Sequence, residues 1–75
     1  MAELVREASR DGARLVWLRC YDAPDGLTTV EVQVTPPGAG APVPRGPYRF
    51  QSAADGFRFV QEAVLALQYL GCSVT

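Results

Sequence analysis

Asp-Gly pairs punctuate the chain, and the pairs at 11–12 and 25–26 constrain its fold more than any other feature. Asp-Gly is typical of two-residue type I′ hairpin turns, because both central residues of such a turn need positive φ angles. Residues 14–21 lie between these two pairs and form a segment rich in β-branched and aromatic side chains. The pattern predicts antiparallel strands connected by tight turns.

The segment after the second turn, residues 28–35, has the clearest periodicity in the chain. Val30, Val32 and Val34 alternate with polar residues. A period of two predicts a β-strand with one buried face. Because an Asp-Gly turn separates it from residues 14–21, we expect the two strands to pair as an antiparallel hairpin.

Residues 3–9 are ambiguous from sequence alone. The spacing of Leu4, Val5 and Ala8 fits a short helix ended by the glycine of the first turn. The same turn, however, requires a partner strand on its N-terminal side. We therefore favour a strand over a helix for this segment.

Residues 36–47 contain five of the six prolines and three glycines. Proline lacks a backbone donor and disrupts regular ladders, so this segment is predicted to be a long surface loop without a regular element. A short strand is expected at 48–51, immediately after the loop.

A helix is predicted from Ser52 to about Leu70. Ser52 and Asp55 have the spacing of a capping box, and Gly71 supplies a C-terminal stop. A rival interpretation makes a hairpin of residues 48–50 and 57–59, but 57–70 is rich in good helix formers. Residues 72–75 are a candidate for one short edge strand.

These elements predict a single α+β domain over residues 1–75. Its order is β-β-β-loop-β-α, an antiparallel sheet of three to five strands with one long C-terminal helix across one face. The predicted core consists of alternating strand positions and one apolar helix stripe: Val16, Leu18, Val30, Val32, Val34, Phe50, Phe57, Val60, Val64 and Leu67.

The charged residues exclude several kinds of chemistry. Seven arginines oppose eight acids, for a net charge of -1, and the chain contains neither lysine nor histidine. A nucleophile such as Cys20 therefore has no histidine or lysine to serve as its base. We expect no catalytic residues, no metal site and no cofactor.

The two cysteines, Cys20 and Cys72, are too few for a disulfide scaffold. The N-terminal residues carry acids early and lack the apolar region of a secretory signal. No apolar run reaches the length of a membrane span, about 18 residues. These features predict a cytoplasmic protein with reduced thiols and no membrane partner.

The predicted helix is apolar over an arc roughly twice the 100° that packing on a single sheet requires. Phe59, Leu65 and Tyr69 are the apolar residues of this helix that a single sheet would leave uncovered; we call them the helix surplus. We expect a second copy of the chain to pack against these residues, giving a homo-oligomer, most simply a dimer. Wrapping by the chain's own residues 41–44 and docking of an unidentified protein are the alternatives.

Trp17, Arg19 and Tyr21 form a second candidate surface on the open face of the sheet. Aromatic and guanidinium groups at this spacing stack the bases of single-stranded nucleic acid, with Arg6, Arg14 and Arg49 expected to meet phosphates. The same residue types are enriched at protein interfaces. The net charge, and the expected position of Glu31 beside this row, favour the protein partner, because nucleic-acid binding depends on phosphate neutralisation. We predict a small non-catalytic interaction module, an accessory or regulatory protein, with single-stranded nucleic-acid binding as the alternative.

Overall fold

The computed structural model describes residues 3–75 as one antiparallel sheet covered by a helix. Its elements are β1 (Leu4–Arg10), β2 (Ala13–Asp22), β3 (Thr28–Val34), β4 (Val43–Phe50), α1 (Ala53–Tyr69) and β5 (Ser73–Val74). The strands lie in the order β4-β3-β2-β1-β5. The predicted α+β class is confirmed, with five strands. Over residues 3–75, no helix combines the length and the apolar character needed to cross a membrane.

The first turn has the conformation that its sequence predicts. Asp11 and Gly12 have φ angles of 54° and 79°, both positive as a type I′ turn requires. They connect β1 to β2, so the strand interpretation of the N-terminal segment is confirmed. The second turn is longer: residues 23–27 connect β2 to β3, and the Gly26 N–H donates to the Ala23 carbonyl at 2.9 Å.

Both ends of α1 are capped as the sequence indicates. The Ser52 side chain accepts a hydrogen bond from the Asp55 N–H at 3.2 Å. At the other end Gly71 has a φ of 95°. The Cys72 N–H donates to the Leu67 carbonyl at 3.0 Å, the six-to-one bond of a Schellman motif. This turn directs the chain into β5, the expected short edge strand.

The prediction that residues 36–47 form no regular element is wrong for residues 43–47. They belong to β4, where Pro44 pairs with Gln33 and Arg45 with Val32. β4 is the outermost strand, so a missing proline donor costs no ladder bond when that donor position faces outward. The ladder is interrupted beside Gly46, whose φ of 85° suits glycine.

The core lies between α1 and the sheet face formed by even-numbered residues of β2. Leu18, Cys20, Val30 and Val60 are buried at its centre. The predicted core residues pack there or against it, except Val34, which is half-buried and outside this cluster. Hydrophobic residues packed against the central four are Leu4, Val16, Val32, Phe50, Phe57, Phe59, Ala63, Val64 and Leu67.

Candidate interaction surfaces

The row of Trp17, Arg19 and Tyr21 lies on the sheet face opposite α1. Successive side chains of a strand point to opposite faces, and the intervening residues Leu18 and Cys20 are buried beneath α1. All three residues of the row are half-buried within the chain itself. The structure thus brings the row together on the open face.

Arg19 is held by carboxylates on both sides. Its Nε donates a hydrogen bond to Glu3, and its Nη1 lies 3.4 Å from Glu31 Oε1. The guanidinium carbon lies 4.3 Å from the centroid of the Tyr21 ring, within cation–π distance. The hydrogen bond to Glu3 is the main cause that raises the pKa of Arg19. The positive charge of this row is therefore neutralised within the chain.

Glu31 also holds the polar end of Tyr21. The Tyr21 hydroxyl donates to Glu31 Oε2 at 2.9 Å, and this bond is the main cause that raises the pKa of Tyr21. The register places Glu31 directly opposite Arg19, as the sequence predicts. A carboxylate at the centre of the row repels phosphate.

Two of the other arginines expected to meet phosphates near this row are paired with carboxylates instead. Arg14 forms an ion pair with Glu7 at 2.7 Å, and Arg49 forms one with Asp25. The Leu27 N–H and then Arg49 lower the pKa of Asp25. The expected position of Arg6 beside the row is wrong.

Arg6 is opposite Leu18 in the β1–β2 register, which places it on the helix-covered face. The cause is a one-residue register shift between Ala8 and Ser9: without it, counting back from the Asp11-Gly12 turn would place Arg6 opposite Trp17. The Asp11-Gly12 turn does not encode this shift, so the face on which Arg6 lies could not be derived from the hairpin alone.

The three residues assigned to the helix surplus do not share one surface. Phe59 is half-buried against β4, with ring centroids 5.1 Å from Tyr48 and 5.5 Å from Phe50. Leu65 and Tyr69, one helical turn apart, are 65% and 92% exposed. The structure therefore leaves Leu65 and Tyr69 together on the outer side of α1.

A groove of about 580 Å³ lies between the N-terminal half of β1 and α1. Most of its lining is apolar, and Glu3, Arg6 and Gln61 supply its polar groups. The apolar lining residues are Leu4, Phe57, Val60, Val64 and Leu65. Sequence analysis missed this groove, because it depends on how far α1 stands from the edge of the sheet.

The two cysteines are free, and no three Cys, Asp or Glu side chains among residues 3–75 approach one another as metal ligands would. Cys20 is buried beneath α1, and burial is the main cause that raises the pKa of its thiol. Cys72 is half-buried in the turn before β5. A raised thiol pKa suppresses the nucleophilic thiolate at Cys20.

Comparisons of this chain with protein-family models, with curated proteins and with solved structures find no match.

Proposed function

We propose that this chain is a small, non-catalytic protein–protein interaction module that self-associates through the outer side of α1. The observation that carries the proposal is the exposure of Leu65 and Tyr69, one helical turn apart, at 65% and 92%. Removing such apolar surface from water contributes about 25 cal/mol per Å². Large aromatic and aliphatic side chains at this exposure are characteristic of protein interfaces.

The charge distribution supports the same surface. Residues 63–75 contain no charged side chain, and they include the last seven residues of α1 and all of β5. Depletion of charge is what distinguishes the centre of a protein interface from the rest of a surface.

A second copy of the chain is the simplest occupant. A two-fold axis beside α1 brings the same apolar patch of two copies together, so that one surface serves both partners. Tyr69 is the favoured anchor, since tyrosine contributes a large contact area and loses few rotamers on burial.

The open face of the sheet gives less support to nucleic-acid binding. Arg14, Arg19 and Arg49 are each paired with a carboxylate. A strand of nucleic acid would have to displace those carboxylates before its phosphates could be neutralised.

The experiment compares Tyr69→Arg with Gln51→Arg by sedimentation velocity. Tyr69→Arg places a charge inside the apolar patch, whereas Gln51→Arg adds the same charge at an exposed position before the helix. We expect Tyr69→Arg to sediment as a monomer and Gln51→Arg to retain the wild-type behaviour. Equal self-association of Tyr69→Arg and wild type would overturn the assignment of this surface.

A further inference from the structure

The two edges of the sheet differ in how well they are protected. The β4 edge carries Pro44, Pro47 and an interrupted ladder, devices that discourage pairing with another strand. On the β1 edge, β5 covers only the C-terminal half: Ala8 pairs with Val74 and Ser9 with Ser73. Among residues 3–75, no strand lies outside the N-terminal half of β1.

The direction of the backbone groups on this half-edge follows from the last covered residue. The Glu7 N–H and carbonyl both bond to Thr75, at 3.1 and 2.9 Å, so they point outward from the sheet. Backbone groups two residues apart in a strand point the same way. The Val5 N–H and carbonyl therefore also point outward. An added strand would bond to the N–H, and at the carbonyl it would share or replace the bond from the Arg6 guanidinium.

The apolar groove runs beside this half-edge. An added strand would alternate its side chains between the open face and the groove, whose base is formed by Leu4, Val60 and Val64. β5 already occupies the position outside β1 further along the sheet. The groove shows that α1 leaves space beside the N-terminal half of β1.

Arg6 gives the groove its charge preference. Its guanidinium donates to the carbonyl of the adjacent Val5 at 3.1 Å, and no carboxylate within residues 3–75 lies at ion-pair distance from it. Glu3, the acid nearest the groove, is instead bound to Arg19. Arg6 is half-buried as a residue and lines the apolar groove, where its guanidinium favours a carboxylate ligand.

We infer that the N-terminal half of β1 binds an extended peptide segment of another protein by strand addition. Apolar side chains of the segment fill the groove, and a carboxylate pairs with Arg6. A second copy does not fit here, because two-fold pairing of this edge would set one concave groove against another. The inference goes beyond self-association, since the occupant is a different chain.

The probe is the capped peptide acetyl-Glu-Thr-Leu-Thr-Glu-amide, whose residue order reads the same in both directions. It therefore tests parallel and antiparallel addition together. The reference peptide replaces both of its glutamates with glutamine. Binding is followed by the amide chemical shifts of labelled protein, which also detect weak complexes.

We expect the Glu peptide to shift the amides of residues 4–6 and to bind about fivefold more tightly than the Gln peptide. Arg6→Gln should remove that preference. Val5→Pro, which deletes the outward N–H, should abolish binding, whereas Val5→Ala, which retains it, should not. Dispersed amide spectra establish that each variant is folded, and Arg6→Gln tests the inference separately from the proline substitution.

Three outcomes would overturn the inference: no shift at residues 4–6 in the wild type, binding that survives in folded Val5→Pro, or an unchanged peptide preference in Arg6→Gln. Tyr69→Arg separates the two proposals, because Tyr69 is outside the groove lining. If this variant is monomeric and still binds the peptide, both stand. If the wild type is monomeric and binds the peptide, only self-association fails.

Discussion

Gly56 in the first turn of α1 lies so close to Thr28 in β3 that a Cβ atom on Gly56 would be 2.5 Å from Thr28 Cγ2. The same atom would be 3.4 Å from the sulfur of Cys20. Thr28 is itself fixed, because its hydroxyl donates to Asp22 Oδ1 at 3.0 Å. The absence of a side chain at Gly56 therefore sets how closely the start of α1 approaches the sheet.

Gly56→Ala should lower the free energy of unfolding by about 1–3 kcal/mol through overpacking. Intrinsic helix propensity alone predicts the opposite, a gain of about 1 kcal/mol. Urea denaturation measures the difference. Gly40→Ala is the control, because no atom lies within 4 Å of its added Cβ, and it should change stability by less than about 0.5 kcal/mol. A more stable Gly56→Ala protein would contradict the close approach.

The two thiols should differ in their rate of reaction with an aromatic disulfide reagent. Cys20 is buried and its thiol pKa is raised, so it should react only as the protein unfolds. Cys72 is half-buried at the surface turn and should react in the folded state. Cys72→Ser should abolish the fast phase and leave the slow one. Equal rates for both thiols in folded protein would show that α1 does not cover Cys20.

An ordinary tyrosine has a pKa near 10. The pKa of Tyr21 should lie above this value, because its hydroxyl donates to Glu31. The folded state holds this proton more tightly than the unfolded state. The bond therefore stabilises the fold below the ordinary pKa, and its contribution is lost as pH rises through the raised pKa.

Phenolate absorbance across a pH titration tests this relationship. The chain has three tyrosines, and Tyr21→Phe should remove the component whose pKa the bond to Glu31 raises. Glu31→Gln removes the negative charge beside the phenol and should move that titration to lower pH. A titration curve unaffected by Glu31→Gln would indicate that the bond does not form in solution.

Much of the fold is determined by local signals that can be read from the chain. The Asp11-Gly12 turn, the alternating valines of β3, the Ser52 cap and the Gly71 stop each act within a few residues. For that reason they predict α1, the first three strands and the short β5. The face of β2 that meets α1 was assigned correctly, with Leu18 in the core, but the sequence alone offers little ground for the choice because both faces of that strand carry apolar residues.

The remaining features depend on contacts between distant residues. β4 forms through a proline-rich segment because pairing with β3 on an outer edge overrides the local preference. Phe59 was assigned to a surface from its helix position, but its actual neighbours are Tyr48 and Phe50 of β4. The groove beside Leu4 likewise depends on the separation between two elements, which no local pattern encodes.

The molar mass of the wild-type chain in solution, measured by light scattering over a dilution series, tests self-association most directly. The account predicts a mass near twice 8.1 kDa at high micromolar concentration, falling towards 8.1 kDa on dilution. A mass of 8.1 kDa at every concentration would contradict it, and the exposed Leu65 and Tyr69 would then have to be covered by a different protein.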